Sequence, residues 1–328
     1  MSRIQDKMKR VWRSAFYLSG QEKNLYNQKE DGDLILMFHN ILPETRKELN
    51  LRNLGSYEFE KIIRYISNHF DVVPLKQMID VKGVSRRIAI TFDDGLVNNL
   101  RHALPVLKQH NIPATFFICT SWLHGISSLW PDTLNRLLMR AGNGFYWNDQ
   151  KFVRTYMNQF RDKQSNIRLE EILLNMPQEK IDELLQFLIH NTEYDPAHDL
   201  VADDEWRIMK GEEIKILSND PLVTIGSHGI THRNLALLDE QAVDEEFSES
   251  KNYLEQVTGN AIDVISFPFG SYHERMLEQS VQCGYNYLIG VNPEVKNRDT
   301  TIRVYSRLGL YNDSSVTENL HKINSFFE

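Results

Sequence analysis

Two aspartates stand side by side in Thr91-Phe92-Asp93-Asp94-Gly95, at the end of the apolar run Ile88-Ala89-Ile90-Thr91-Phe92. Adjacent carboxylates repel, so keeping both ionised requires a cation or hydrogen-bond donors beside them. Taken alone, Asp-Asp-Gly also reads as an ordinary turn, because Asp and Gly favour turns. A second apolar run, Leu222-Val223-Thr224-Ile225, leads into Gly226-Ser227-His228-Gly229-Ile230-Thr231-His232. Two histidines four apart face the same way on a helical turn and can share one metal ion. Either motif alone is weak, but their combination supplies Asp94, His228 and His232 as three ligands with a coordination position left open, the donor set of a catalytic zinc site. Asp93 is then left beside that position as a general base. A divalent ion there lowers the pKa of water and polarises a carbonyl, which is hydrolytic chemistry.

Two further strand ends could contribute. Phe267-Pro268-Phe269-Gly270 closes another apolar run; it is a turn in its own right, and the Phe269 backbone N–H is a candidate oxyanion donor. His39 ends Leu36-Met37-Phe38-His39. A histidine at a strand end is ordinarily structural, yet on the same rim as the other residues it is a candidate proton donor near neutral pH.

For these residues to meet, the elements carrying them must run in parallel, since ligands and catalytic side chains gather at the C-terminal edge of parallel strands. The sequence supplies the elements. Apolar runs at 34–38, 71–75, 88–92, 114–119, 222–225, 262–267, 287–291 and 302–304 alternate with helical patterns such as Phe59, Ile62, Ile63, Ile66 and Phe70 or the stretch 239–257. About seven βα-like units result, an α/β fold that reads as a barrel more than as a flat sheet. The rhythm breaks over about 121–219, which reads as a largely helical insertion built on the barrel, with a loose stretch around 141–152. Trp122, Trp130, Tyr146 and Trp147 lie there; core packing is their expected role, and stacking on sugar rings the alternative.

Composition narrows the function class. The 328 residues are 41% hydrophobic and 25% charged, with net charge −8, enough for a sizeable core and too acidic for a general nucleic-acid binder. Cys119 and Cys283 lie in or beside apolar stretches and read as reduced core thiols. Residues 1–32 form a basic extension in which Ile4, Met8, Val11, Trp12 and Ala15 recur at helical spacing opposite Arg3, Lys7, Lys9, Arg10 and Arg13. It lacks the apolar run of an export signal, which implies a cytoplasmic chain. Docking on the domain is its expected role, and peripheral contact with a membrane surface the alternative.

With TFDDG and SHGITH in place, the sequence resembles the polysaccharide deacetylases, the NodB-homology group or carbohydrate esterase family four. The likeness runs from about Asp33 to Tyr311, insertion apart, and implies that 33–328 form a distorted (β/α)7 barrel. It also implies removal of N- or O-acetyl groups from a saccharide with one divalent ion, Zn2+ or else Co2+, Ni2+ or Mn2+. On that resemblance Asp93 is the base and Asp94, His228 and His232 the metal triad. The chain departs from the family pattern twice: no arginine precedes Phe267-Pro268-Phe269-Gly270, and no Leu-x-His segment occurs late in the barrel. It is similar in both respects to the poly-N-acetylglucosamine deacetylases, whose acid histidine sits on an N-terminal strand. That makes His39 the candidate acid, with His321 as a weaker one. Two other functions stay open on sequence: a deformylase acting on a lipid-linked amino sugar, and a carbohydrate-binding protein without catalysis.

Overall fold

In the computed structural model, the described residues are 31–46, 52–155, 159–192, 206–291 and 302–327. The basic extension expected over 1–32 therefore lies outside them but for its last two residues. Nine strands build the main sheet, every pairing parallel. The chain order begins with β1 (Gly32–Phe38), followed by the short pair β2 (Asn40–Leu42) and β3 (Asn53–Gly55), α1 (Ser56–His69), β4 (Asp71–Val72) and α2 (Leu75–Asp80). β5 (Arg86–Phe92), α3 (Leu104–His110) and β6 (Ala114–Ile118) come next. The interval after β6 holds α4 (Trp130–Arg140), β7 (Gly144–Trp147), β8 (Gln150–Arg154), β9 (Phe160–Asp162), α5 (Leu169–Leu173), α6 (Gln178–Asn191) and α7 (Gly211–Ser218). The barrel resumes with β10 (Val223–Ser227), α8 (Glu240–Thr258), β11 (Val264–Ser266), α9 (Glu274–Gln282), β12 (Tyr287–Ile289), β13 (Val304–Tyr305), β14 (Leu308–Gly309) and α10 (Val316–Phe326).

The two ends of the hydrogen-bonded path are β13 and β14, and only Ser306 and Arg307 separate them. β13 pairs with β12, while β14 pairs with β1. One bent segment thus closes the sheet on itself, and a distorted (β/α)7 barrel results. Distortion is visible at β5, whose lower half pairs with β4 and whose upper half pairs with β6.

Strand alternation fixes which side chains face inward. Phe38, Phe92 and Phe116 point outward and pack with Phe59 of α1, ring centroids 4.7 to 5.7 Å apart. His39 and Asp93, one residue further on, are therefore turned toward the barrel axis. Lower in the interior, Ile35, Ala89, Phe117, Val264 and Ile289 form a buried apolar layer. At Gly226 a Cβ would sit 2.7 Å from the Phe117 ring, so glycine is what lets that ring fill the barrel.

The insertion is largely helical in its described residues, as its sequence suggests, and also carries a small sheet. β7, β8 and β9 form an antiparallel sheet over a separate apolar core of Trp147, Phe152, Phe160, Leu137 and Leu184. The stretch that looks loose in sequence is a two-residue hairpin: Asn148 and Asp149 both have positive φ, the backbone of a tight turn that suits strand twist. Among the described residues no helix is long and apolar enough to cross a membrane.

Candidate active site

Asp94, His228 and His232 converge, each offering a ligand atom within 4.8 Å of the others. Asp94 Oδ1 lies 3.1 Å from His232 Nε2 and 3.6 Å from His228 Nε2, and it is buried with no hydrogen-bond donor. An orphaned carboxylate oxygen facing two imidazoles is costly unless a cation sits between them. His228 Nδ1 is 2.7 Å from the Ser266 carbonyl; donating there places its proton on Nδ1 and leaves the Nε2 lone pair for an ion. The residues fit a divalent metal with an N2O donor set.

The histidine segment does not form the helical turn that its spacing suggests. Gly229 and His232 both have positive φ, and the carboxylate of Glu246 on α8 organises the loop instead. It accepts hydrogen bonds from Ile230 N (2.5 Å), Thr231 N (3.3 Å) and Thr231 Oγ1 (2.5 Å). At Gly229 a Cβ would fall 2.8 Å from that carboxylate, so glycine is required there both for conformation and for space. Trp130 of the insertion adds a brace, its Nε1–H donating to the His232 carbonyl at 2.9 Å. Asp94 is likewise left-handed, at φ 75°. Two of the three prospective ligands thus occupy backbone conformations that non-glycine residues seldom adopt.

Asp93 faces the barrel interior, where it meets a residue the sequence reading missed. Arg307, wholly buried, holds it with two hydrogen bonds, Nη1 to Oδ1 at 2.6 Å and Nη2 to Oδ2 at 2.7 Å. The remaining donors go to Thr91 Oγ1 (3.2 Å), Ser266 Oγ (2.7 Å) and the Gly290 carbonyl (3.0 Å). All five guanidinium N–H groups are thereby satisfied, and the group rests over the Phe117 ring at 5.4 Å. An arginine thus reaches Asp93 from the segment that closes the barrel.

Electrostatics separates the two carboxylates. Burial by itself would raise Asp93, but the charge of Arg307, with His228 and Arg307's hydrogen bonds, holds it below the usual range. Burial opposes Asp94 too, and the charges of His232 and Arg52 carry it well below. His39 is buried and stacked 6.4 Å from Tyr311. Desolvation dominates over the pull of Asp94 and lowers it from 6.5 to about 4. In the metal-free chain, burial thus favours the neutral imidazole at pH 7. His321 lies on α10, beside Ser325, and is not part of the cluster.

Phe269 has φ 59°, and its ring meets the His232 ring edge-on at 4.6 Å and the Trp130 ring at 5.7 Å. Trp130 and Trp147 are buried in the insertion core, whereas Tyr146 is exposed. Cys119 is buried and Cys283 half-buried, and both are free thiols.

The polysaccharide deacetylase family model matches residues 80–143 and 187–288, leaving out the stretch that holds the three-stranded insertion sheet. YxkH of Bacillus subtilis (strain 168), a protein named for the polysaccharide deacetylases, is 30% identical over 271 residues. That alignment takes in 81% of this chain, and the chain spans 66% of the relative's length. Among solved structures, a de-N-acetylase from Aggregatibacter actinomycetemcomitans is similar with TM-score 0.57 at 14% identity, over 89% of this chain and 99% of that one. The Streptococcus pyogenes deacetylase PplD, in complex with acetate, gives TM-score 0.53 at 14% identity, over 91% and 99%. At these identities the likeness concerns the fold.

Proposed function

The chain belongs to the polysaccharide deacetylase family, and from that premise we propose that it is a metal-dependent hydrolase removing the N-acetyl group from an amino sugar of a polysaccharide or glycan precursor. One observation carries the reading: Asp94, His228 and His232 share a buried ion-sized space, and Asp93, ionised against Arg307, stands beside it, 3.9 Å from His228 Nε2.

In this reading Asp94, His228 and His232 hold the ion. When bound, a divalent cation acidifies water and polarises the acyl carbonyl. Asp93 is the general base and accepts a proton from the attacking water at a carboxylate oxygen. Arg307 keeps that oxygen ionised and pointed inward. The Phe269 backbone N–H is the candidate donor to the developing oxyanion. His39 delivers a proton to the departing amine. Asp93 gains one proton from the water and the amine takes one from His39, so passage of the Asp93 proton to His39 resets both groups and the count balances within each turnover. The left-handed backbone of Asp94 and His232 and the braces from Glu246 and Trp130 favour a site held rigid before substrate arrives.

The test is release of acetate from N-acetylated oligosaccharides and from lipid- or nucleotide-linked amino sugars, run with and without added Zn2+ or Co2+ and after chelation. Metal-dependent acetate release is expected. Formate in place of acetate would redirect the proposal to a deformylase, and no release from any of these substrates, with metal bound, would leave only carbohydrate binding.

A further inference from the structure

The two oxygens of Asp94 have different surroundings. Oδ1 faces both imidazoles, as described above. Oδ2 is met by Arg52 Nη1 at 3.3 Å, and Nη2 of the same guanidinium lies 3.2 Å from Asp132 Oδ1. The three residues come from separate parts of the chain: Asp94 from the tip of β5, Arg52 from the segment before β3, and Asp132 from α4 of the insertion. Arg52 is anchored at its backbone, where the Asn40 N–H donates to its carbonyl at 3.1 Å. Its side chain is 21% exposed, while Asp94 and Asp132 are almost fully enclosed.

We propose that Arg52 is a positioning residue for Asp94, occupying Oδ2 so that Oδ1 alone is offered to the ion, with Asp132 of the insertion holding Arg52 in place and balancing its charge. The inference rests on the metal-centre reading above. A free carboxylate can bind an ion through one oxygen or through both, and a planar fork on one oxygen removes that choice. Groups that orient metal ligands in this way typically contribute a factor of about 10–100 to metal affinity.

A lone cation beside a metal ligand would repel the ion, so the pairing with Asp132 matters. Arg52 and Asp132 together are neutral, and Arg52 can then act through its hydrogen bond with little net charge. This role also gives Asp132 a function: it is a buried carboxylate outside the ligand set, with Oδ2 lacking a hydrogen-bond partner. A residue of the insertion thereby reaches the metal centre through one intermediary.

The experiment measures Co2+ affinity by chelator competition and the visible spectrum of the Co2+ complex for the full chain, the double variant Arg52→Met with Asp132→Asn, and His228→Ala. The double variant changes no net charge, so it isolates positioning. We expect about 10–100-fold weaker Co2+ binding and a changed spectrum, as Asp94 becomes free to bind through both oxygens. Arg52→Lys keeps the charge but lacks the planar fork that meets both carboxylates in fixed geometry, so it should lose affinity in the same direction; it serves if the double variant does not fold. Wild-type affinity and spectrum in whichever of these folds would overturn the role assigned to Arg52. A wild-type chain that binds no Co2+, or a His228→Ala chain that binds it as tightly as wild type, would instead overturn the metal-centre reading and this inference with it.

Discussion

Asp93 and Asp94 are neighbours in sequence, yet the barrel interior and the rim treat them differently. Below, Asp93 meets an arginine with no solvent exposure and no spare donor. Above, Asp94 meets an arginine on the half-open rim, and one of its oxygens stays uncommitted. Each carboxylate thus has its own guanidinium, and the two arginines come from opposite ends of the fold. In the proposed reading the difference lets one dipeptide serve two functions: a carboxylate bonded at both oxygens is kept ionised without being offered as a ligand, and one with a single free oxygen is available to a metal.

The strongest challenge to that division is to neutralise each carboxylate in turn. Asp93→Asn should lower kcat by about 10²–10⁴-fold, the range for a general base, with metal content unchanged. Asp94→Asn should lose metal and activity together. Equal metal loss in both variants, by elemental analysis, would show that the two positions share one role.

Arg307→Met tests the interior half. It strands a buried carboxylate, and breaking such a pair costs about 3–5 kcal/mol, measurable by denaturant unfolding. Asp93 should also titrate higher, so the acid limb of the pH–rate profile should move upward. A stability change below about 1 kcal/mol would mean that water replaces the guanidinium and that the interior is less closed than its packing implies.

A gentler probe is pH. In the metal-free chain the stability contributed by Asp93 and Asp94 is present above about 3.8, their value when unfolded, and is lost as pH falls through their lower folded values. His39 acts at higher pH. It is neutral in the fold down to about 4, whereas an unfolded histidine takes up a proton below 6.5. Stability should therefore fall as pH drops from 6.5 toward 4, by up to about 1.4 kcal/mol per pH unit for one full proton. His39→Asn should flatten that slope, and an unchanged slope in thermal melts would relocate the effect to another group.

Smallest of all should be Trp130→Phe, which keeps most of the packing and deletes the N–H to the His232 carbonyl. About 1 kcal/mol of stability should go with that hydrogen bond, alongside a modest loss of metal affinity. An affinity equal to wild type would mean that the insertion's brace on the histidine loop does not reach the ligands.

How far these features could be read from sequence follows from their physics. Strand tips carrying Asp93, Asp94, His228, His232 and His39 stand out because apolar runs end abruptly on polar residues. Arg307 does not, because a single arginine after Val304-Tyr305-Ser306 looks like any solvated residue on a strand; only barrel closure turns it inward. Arg52 and Asp132 are invisible for a similar reason, their meaning arising from contacts between distant segments. The insertion sheet was legible in principle. Aromatic residues alternate at Phe145 and Trp147, Asn148-Asp149 supplies a turn, and Phe152 follows, although short strands beside long helical stretches are easily absorbed into them. The histidine loop was misread as helical because i,i+4 spacing is shared by helices and by loops bent through left-handed residues.

Closure of the barrel by the segment 304–309 also bears on how the protein is made. Arg307 follows Asp93 by 214 residues, so a ribosome makes it long after the aspartate. Until then the aspartate lacks its Arg307 partner, and enclosing it would strand a bare charge. The edge of β1 that β14 covers stays unpaired until the same segment is made. The segment that closes the sheet is also the one that supplies the partner of Asp93, so completion of the barrel and pairing of that carboxylate depend on the same few residues.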